Sequence, residues 1–131
     1  MSRLSASAIV LITDDGRMDR QLRDALQTTA PDFELRVVQT REQLEALHTP
    51  RVIVLDLMLS HEPAFDLLRW LRSHRRFERT PVFALGSPAV KHDIRQAYAL
   101  GANSCFQRTT GTEELRQIAR GLAGYASLVT A

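Results

Sequence analysis

The sequence predicts an α/β fold, a doubly wound sheet of five parallel strands in which each strand is followed by a helix. Apolar runs alternate with helical patterns five times along 131 residues, a length that suits one compact domain over residues 1–131. The first, third and fourth runs are uniformly apolar, as in parallel strands that are covered on both faces. We assume the strand order 2-1-3-4-5, one of the common orders for such sheets.

Apolar and β-branched runs predict the strands. The first run, AIVLIT, is ended by the DDG segment, and the second, FELRVVQ, alternates in part between apolar and polar residues. The five strands are predicted at Ala8–Thr13, Phe33–Gln39, Val52–Met58, Pro81–Leu85 and Ser104–Gln107.

Apolar spacing and capping signals predict the helices. Thr40 with Gln43 fits a capping box, Ser87 precedes a proline suited to a first helical position, and Gly101 is expected to close the fourth helix. The other helices are predicted at Met18–Thr29, at Arg41–His48, from Pro63 or Ala64 onward, and at Glu113–Tyr125 after a Thr112 cap.

Composition limits the function classes. The net charge of +2 does not call for nucleic acid or a membrane surface as a partner, and the basic segment RSHRRFER (72–79) is interpreted as a solvated loop. The single cysteine, Cys105, excludes an internal disulfide and a cysteine-based zinc site. The N-terminus lacks an apolar segment long enough for a signal peptide or a membrane span, so we expect a cytoplasmic protein.

Carboxylates follow two of the predicted strands. Asp14 and Asp15 lie just past the first strand, and Asp56 lies towards the end of the third, within RVIVLDLMLS. In the assumed order these strands are neighbours at the topological switch point, where ligands bind. Converging carboxylates suit a hard cation such as Mg²⁺ (or Mn²⁺), and an aspartate can form an acyl phosphate. The structural alternative is that the DDG segment caps the first helix and that backbone N–H groups satisfy Asp56.

The sequence resembles the receiver domains of two-component response regulators over nearly all of residues 7–127, and the flavodoxin-like fold is that family's. The resemblance rests on the acidic pair in LITDDG, the aspartate in VIVLDLML, the strand PVFAL, and DIRQAYALGANS. It implies that Asp56 accepts a phosphoryl group, that Asp15 binds Mg²⁺ with Asp14 assisting, and that Met58 lends the metal its backbone carbonyl. It also implies a sensor histidine kinase or phosphotransfer protein as donor, a downstream protein as target, and no independent substrate turnover.

Residues that sense the phosphoryl group depart from the family pattern. Gly86 stands where the family normally has a Thr or Ser hydroxyl, and Ser87 beside it either supplies that hydroxyl or caps the following helix. The family's Lys-Pro pair is replaced by Arg108 and Thr109. Arg108 can still pair with the acceptor, but its planar fork differs in reach and hydration from a lysine ammonium. Without the proline we expect a trans peptide at Thr109.

Two functions stay open: a receiver phosphorylated on Asp56, and a degenerate receiver that binds its partner without phosphate. We expect no output domain, in which case the chain is a stand-alone receiver; the alternative is a fragment of a longer protein. Homodimerisation is a hypothesis, through the face formed by the fourth helix, fifth strand and fifth helix, which includes Cys105 and Tyr98. A flavin-binding protein is disfavoured because TDDGRMD presents carboxylates where a phosphate-cradling loop would stand. A hydrolase is disfavoured because no G-x-S-x-G motif occurs.

Overall fold

The computed structural model describes residues 8–87 and 91–128, apart from the side chains of residues 91 and 92. Strands and helices alternate along these residues. The strands are β1 (Ala8–Ile12), β2 (Glu34–Val38), β3 (Val52–Asp56), β4 (Val82–Gly86) and β5 (Ser104–Gln107). The helices are α1 (Gly16–Thr29), α2 (Arg41–Glu45), α3 (Ala64–Ser73), α4 (Lys91–Ala99) and α5 (Thr112–Leu128).

All four strand pairs are parallel, and the order β2-β1-β3-β4-β5 confirms the assumed topology. Ile12 near the end of β1 lies opposite Leu55, and Asp56 lies opposite Leu85 of β4. The carboxyl ends of β1, β3 and β4 therefore meet at one edge, which is where the predicted site residues lie.

The core has two layers, one on each face of the sheet. Ile9 and Leu11 of β1 pack with α1 and α5, whereas Val10 and Ile12 pack with α2, α3 and α4. Successive strand side chains point to opposite faces, so an uninterrupted apolar run supplies both layers. The prediction that β1, β3 and β4 are covered on both faces is confirmed, because every residue in these strands is buried.

Several element ends differ from the predictions. Helix α1 begins two residues before Met18, because the Asp15 side chain accepts a hydrogen bond from the backbone N–H of Arg17 and so caps the helix. Strand β3 ends at Asp56, not at Met58, and α2 ends before the predicted His48. Helix α5 already includes Thr112 and continues to Leu128, so the predicted Thr112 cap is wrong.

Other turn predictions are confirmed. Thr40 and Gln43 form the predicted capping box of α2. Gly101 follows α4 with a φ of 108°, the left-handed conformation that favours glycine at a helix end. No cis peptide occurs in the parts of the chain that the structure describes, in agreement with a trans peptide at Thr109. The predicted Ser87 cap depends on residues 88–90, which lie outside the described residues.

The basic segment 72–79 is not simply a solvated loop. Arg72 is partly buried and donates hydrogen bonds to the backbone carbonyls of Gly101 and Phe77 and to the side chain of Asn103. Phe77 is fully buried in the core layer that contains α3. The segment therefore ties α3 to the loop before β5. None of the described helices is both long enough and apolar enough to cross a membrane.

Candidate functional site

Asp56 is the most deeply buried carboxylate at the edge where β1, β3 and β4 end. It is the last residue of β3, and its side chain has 0% exposure. Removing an ionised carboxylate from water costs several kcal/mol unless hydrogen bonds or an opposite charge compensate it. The contacts of Asp56 therefore determine whether this position is stable.

Both carboxylate oxygens of Asp56 accept hydrogen bonds. Oδ2 accepts one from the Thr13 hydroxyl at 2.6 Å. Oδ1 accepts one from the backbone N–H of Met58 at 2.9 Å and one from Nη1 of Arg108 at 2.7 Å. The sequence allowed the alternative that backbone N–H groups alone satisfy Asp56. One such N–H contact is present, but the Thr13 hydroxyl and the Arg108 guanidinium also donate to the carboxylate.

Arg108 joins two carboxylates. Its backbone N–H donates to the carbonyl of Gly86 at 2.8 Å, which extends the pairing of β4 and β5 by one residue. Its guanidinium holds Asp56 through Nη1 and Asp15 through Nη2, the latter at 2.6 Å. Its side chain is only 18% exposed. Charge-assisted hydrogen bonds from adjacent guanidinium nitrogens are strong and directional, so Arg108 fixes both carboxylates.

Asp15 has two roles at once. One oxygen caps α1, the other contacts Arg108, and its own backbone N–H donates to the Thr13 hydroxyl at 3.0 Å. Burial alone would raise the pKa of Asp15, but backbone N–H groups of α1 and the Arg108 guanidinium together hold it below its usual value. The predicted helix cap and the predicted site residue are thus the same side chain.

Asp14 contacts a different segment. Its Oδ2 accepts hydrogen bonds from the backbone N–H of Ser60, at 3.0 Å, and from the Ser60 hydroxyl, and it lies 3.2 Å from Nδ1 of His61. The Ser60 hydroxyl is the largest cause, and the Ser60 N–H the next, of a pKa for Asp14 lowered to about 2. Asp14 is thereby held against the loop between β3 and α3.

The three carboxylates are held by different partners. Within the described part of the chain, no group of three or more His, Cys, Asp and Glu side chains could hold a metal ion. Asp14 accepts hydrogen bonds from Ser60, whereas one oxygen of Asp15 and one oxygen of Asp56 accept hydrogen bonds from the same guanidinium. Metal binding by these residues and by the Met58 carbonyl stays a prediction.

Gly86 and Ser87 lie beside Asp56, at the end of β4. Gly86 is buried, and a Cβ built there would come within 3.3 Å of Cδ1 of Leu57. A hydroxyl-bearing residue at position 86 would therefore require Leu57 to shift. Ser87 is partly buried and makes a contact of its own, and its role as a hydroxyl donor stays a prediction.

Two features of the site were missed in the sequence. Thr13 was assigned only to the end of the first strand, yet its hydroxyl bonds both Asp56 and Asp15. Its signal was a polar residue closing an apolar run directly before an acidic pair. Ser60 and His61 were not assigned to Asp14, and no local pattern indicates contacts across 46 and 47 residues.

No family model matches the chain. It is 30% identical over 111 residues to the transcriptional regulatory protein GltR of Pseudomonas aeruginosa, covering 81% of this chain and 45% of that protein. It is 31% identical over 96 residues to the polar-differentiation response regulator DivK of Brucella ovis, covering 66% of this chain and 75% of that protein. The chain spans about half the length of the first two curated relatives that it matches.

Solved structures share the fold. A response regulator receiver domain from Rhodospirillum rubrum has a TM-score of 0.77 at 22% identity, covering 95% of this chain and 96% of that one. The phosphorylated cyanobacterial phytochrome response regulator RcpA also has a TM-score of 0.77, at 21% identity and with the same coverage. The chain therefore belongs to the response regulators of two-component signalling and has the fold of their receiver domains.

Proposed function

We propose that this receiver domain signals by contact with a partner protein while Asp56 stays unphosphorylated and bound by Arg108. The observation that carries the proposal is the guanidinium that bonds Asp56 and Asp15 together. A phosphoryl acceptor must present an oxygen to the donor. Both oxygens of Asp56 already accept hydrogen bonds, and the side chain has no exposed surface.

The end of β4 supports the same proposal. Gly86 offers no hydroxyl to a phosphoryl group, and the space beside it contains the Leu57 side chain. A phosphoryl group on Asp56 would therefore have fewer partners at this position than in receivers with Thr or Ser there. The state that Arg108 holds is the one in which we expect the partner to recognise the domain.

The second candidate is a receiver phosphorylated on Asp56 by a sensor histidine kinase or phosphotransfer protein. The position of Asp56 beside Asp15 and a cationic side chain favours it. Phosphoryl transfer depends on positive charge near the transferred group, which in the family is supplied by a bound Mg²⁺. This candidate requires Arg108 to release Asp56 before transfer.

Incubation with acetyl phosphate and MgCl₂, followed by intact mass measurement, separates the two candidates. We expect no added phosphoryl mass on the wild-type chain. The phosphorylated form of RcpA has been crystallised, so RcpA serves as the positive control. A phosphoryl adduct on the wild type that is absent from Asp56→Asn would overturn the first candidate and support the second.

We further propose that the α4-β5-α5 face contacts the downstream protein or a second copy of the chain. Tyr98 is 50% exposed there, and its hydroxyl accepts a hydrogen bond from the backbone N–H of Cys105 at 3.2 Å. Tyr125 of α5 is 36% exposed, whereas Leu115 is buried in the core. Light scattering over a wide concentration range should show a dimer that Tyr98→Ala weakens; monomer alone throughout would count against homodimerisation.

A further inference from the structure

We propose that Arg108 is the resident cation of this site, and that it excludes a divalent metal ion from Asp15 and Asp56. Two nitrogens of its planar guanidinium donate to one carboxylate oxygen each: Nη2 to Asp15 at 2.6 Å and Nη1 to Asp56 at 2.7 Å. The two carboxylate oxygens are therefore close to each other and to one positive charge. The excluded ion is considered for the unphosphorylated chain, and its affinity is measured separately from phosphoryl mass on Asp56.

Arg108 offsets part of the local negative charge without a metal. Asp15 and Asp56 bring two negative charges, and Arg108 brings one positive charge together with a directional hydrogen bond to each. The Thr13 hydroxyl donates to Asp56 and accepts from the backbone N–H of Asp15, so it joins the two residues a second time. A dication entering here would meet a guanidinium in direct contact with both of its ligands, and like charges at that separation repel strongly.

Asp14 is poorly placed to serve as an additional ligand for a metal ion. Its Oδ2 accepts hydrogen bonds from two donors of Ser60, and a metal that bound this oxygen would have to compete with both. Mg²⁺ demands near-ideal octahedral geometry and binds poorly to a site that must first be rearranged. One oxygen of the third carboxylate of the predicted metal site is therefore already bonded to the loop after β3.

Removing the guanidinium should create the metal site that the wild type lacks. In Arg108→Ala, Asp15 and Asp56 keep their backbone positions on α1 and β3 but lose their shared cation. Two uncompensated carboxylates close together are the main requirement for a Mg²⁺ or Mn²⁺ site that also takes water ligands. We therefore expect Arg108→Ala to bind Mn²⁺ at least about tenfold more tightly than the wild type does.

The test is a Mn²⁺ titration followed by electron paramagnetic resonance of the free ion, with NMR line broadening to locate the bound ion. Arg17→Ala is the matched control, because Arg17 lies beside the same cleft and loses the same charge but is exposed. We expect Arg17→Ala to behave like the wild type, and the double variant Arg108→Ala with Asp56→Asn to lose the gained affinity. Broadening should centre on Asp15 and Asp56.

Two results would overturn the inference. One is a wild-type chain that binds Mn²⁺ at this site as tightly as Arg108→Ala does. The other is an Arg108→Ala protein, folded by circular dichroism, that gains no affinity. The inference and the proposed function fail separately, because one is read from metal affinity and the other from phosphoryl mass on Asp56.

Discussion

Replacing Arg108 with alanine should destabilise the fold by about 2 kcal/mol, and most of this cost should depend on Asp56. The variant leaves the carboxylate of Asp56, which has no exposed surface, with only the Thr13 hydroxyl and one backbone N–H as donors. Two unit charges 4 Å apart attract by about 4 kcal/mol at an effective dielectric constant of about 20. We expect about half of that to be lost, because Arg108 is 18% exposed and water can enter the vacated space.

A double-mutant cycle measured by urea unfolding isolates the contribution of the pair. The four proteins are the wild type, Arg108→Ala, Asp56→Asn and the double variant. Without the Asp56 charge, removal of Arg108 should cost only about 0.5 kcal/mol, so the coupling energy should be about 1.5 kcal/mol. Arg120→Ala is the control, since its pair with Glu113 is exposed on both sides and should contribute under about 1 kcal/mol.

The outcome that refutes this reasoning is additivity. If the costs of the two single variants sum to that of the double variant within about 0.5 kcal/mol, Arg108 does not stabilise the Asp56 carboxylate in solution. The slope of the unfolding free energy against urea concentration should be the same for the four proteins. Equal slopes would show that all four expose the same amount of surface on unfolding.

Three further predictions concern the surroundings of the site and the fold. Thr13→Val should cost about 2 kcal/mol in urea unfolding, because it removes a buried hydroxyl that donates to Asp56 at 2.6 Å. Gly101→Ala should lower stability by about 2 kcal/mol, since φ is 108° and the new Cβ would lie 2.9 Å from an arginine side chain of α3; Gly124→Ala, whose Cβ meets nothing within 4 Å, should not. The lowered pKa of Asp14 contributes stability that is present above the ordinary pKa of 3.8 and is lost as pH falls through about 2. Asp14→Asn has no carboxylate to titrate, so its unfolding free energy should lack this pH dependence in acid. Identical acid unfolding profiles for the wild type and Asp14→Asn would contradict the prediction.

The sheet was predictable because burial on both faces leaves a strong mark on the sequence. Uninterrupted apolar runs supply both core layers, and the βα alternation leaves few topologies once crossovers are right-handed. The ends of the elements were less predictable. Apolar spacing indicated Met18 as the start of α1, whereas the helix begins where Asp15 caps it, and a cap depends on one hydrogen bond rather than on a repeating pattern.

The site was predictable in position and not in its contacts. The sequence placed Asp15, Asp56 and Arg108 at one edge of the sheet and anticipated the pairing of Arg108 with Asp56. It did not predict that the same guanidinium also holds Asp15, because that depends on where two loops separated by 93 residues meet. The planar fork explains the difference chemically, since it offers two nitrogens to two carboxylates where an ammonium offers one point charge.

The separate contacts of Asp14 and Asp15 were also beyond the sequence, although the family resemblance gave Asp15 the main role and Asp14 an assisting one. Neighbouring aspartates after β1 look equivalent in LITDDG, yet one caps a helix and contacts Arg108 while the other bonds Ser60. Which one turns towards Asp56 is decided by the backbone of the turn and by a loop 46 residues away. The expected triad of carboxylates is therefore divided between two polar clusters.

The most direct test of the Arg108 bridge is a crystal structure of the wild-type chain grown with saturating MgCl₂ and beryllofluoride, a phosphoryl mimic. We expect Nη1 and Nη2 of Arg108 to remain within hydrogen-bond distance of Asp56 and Asp15, with no ion between the carboxylates. A metal ion coordinated by Asp15, Asp56 and the Met58 carbonyl, with beryllofluoride on Asp56 and Arg108 turned away, would contradict it.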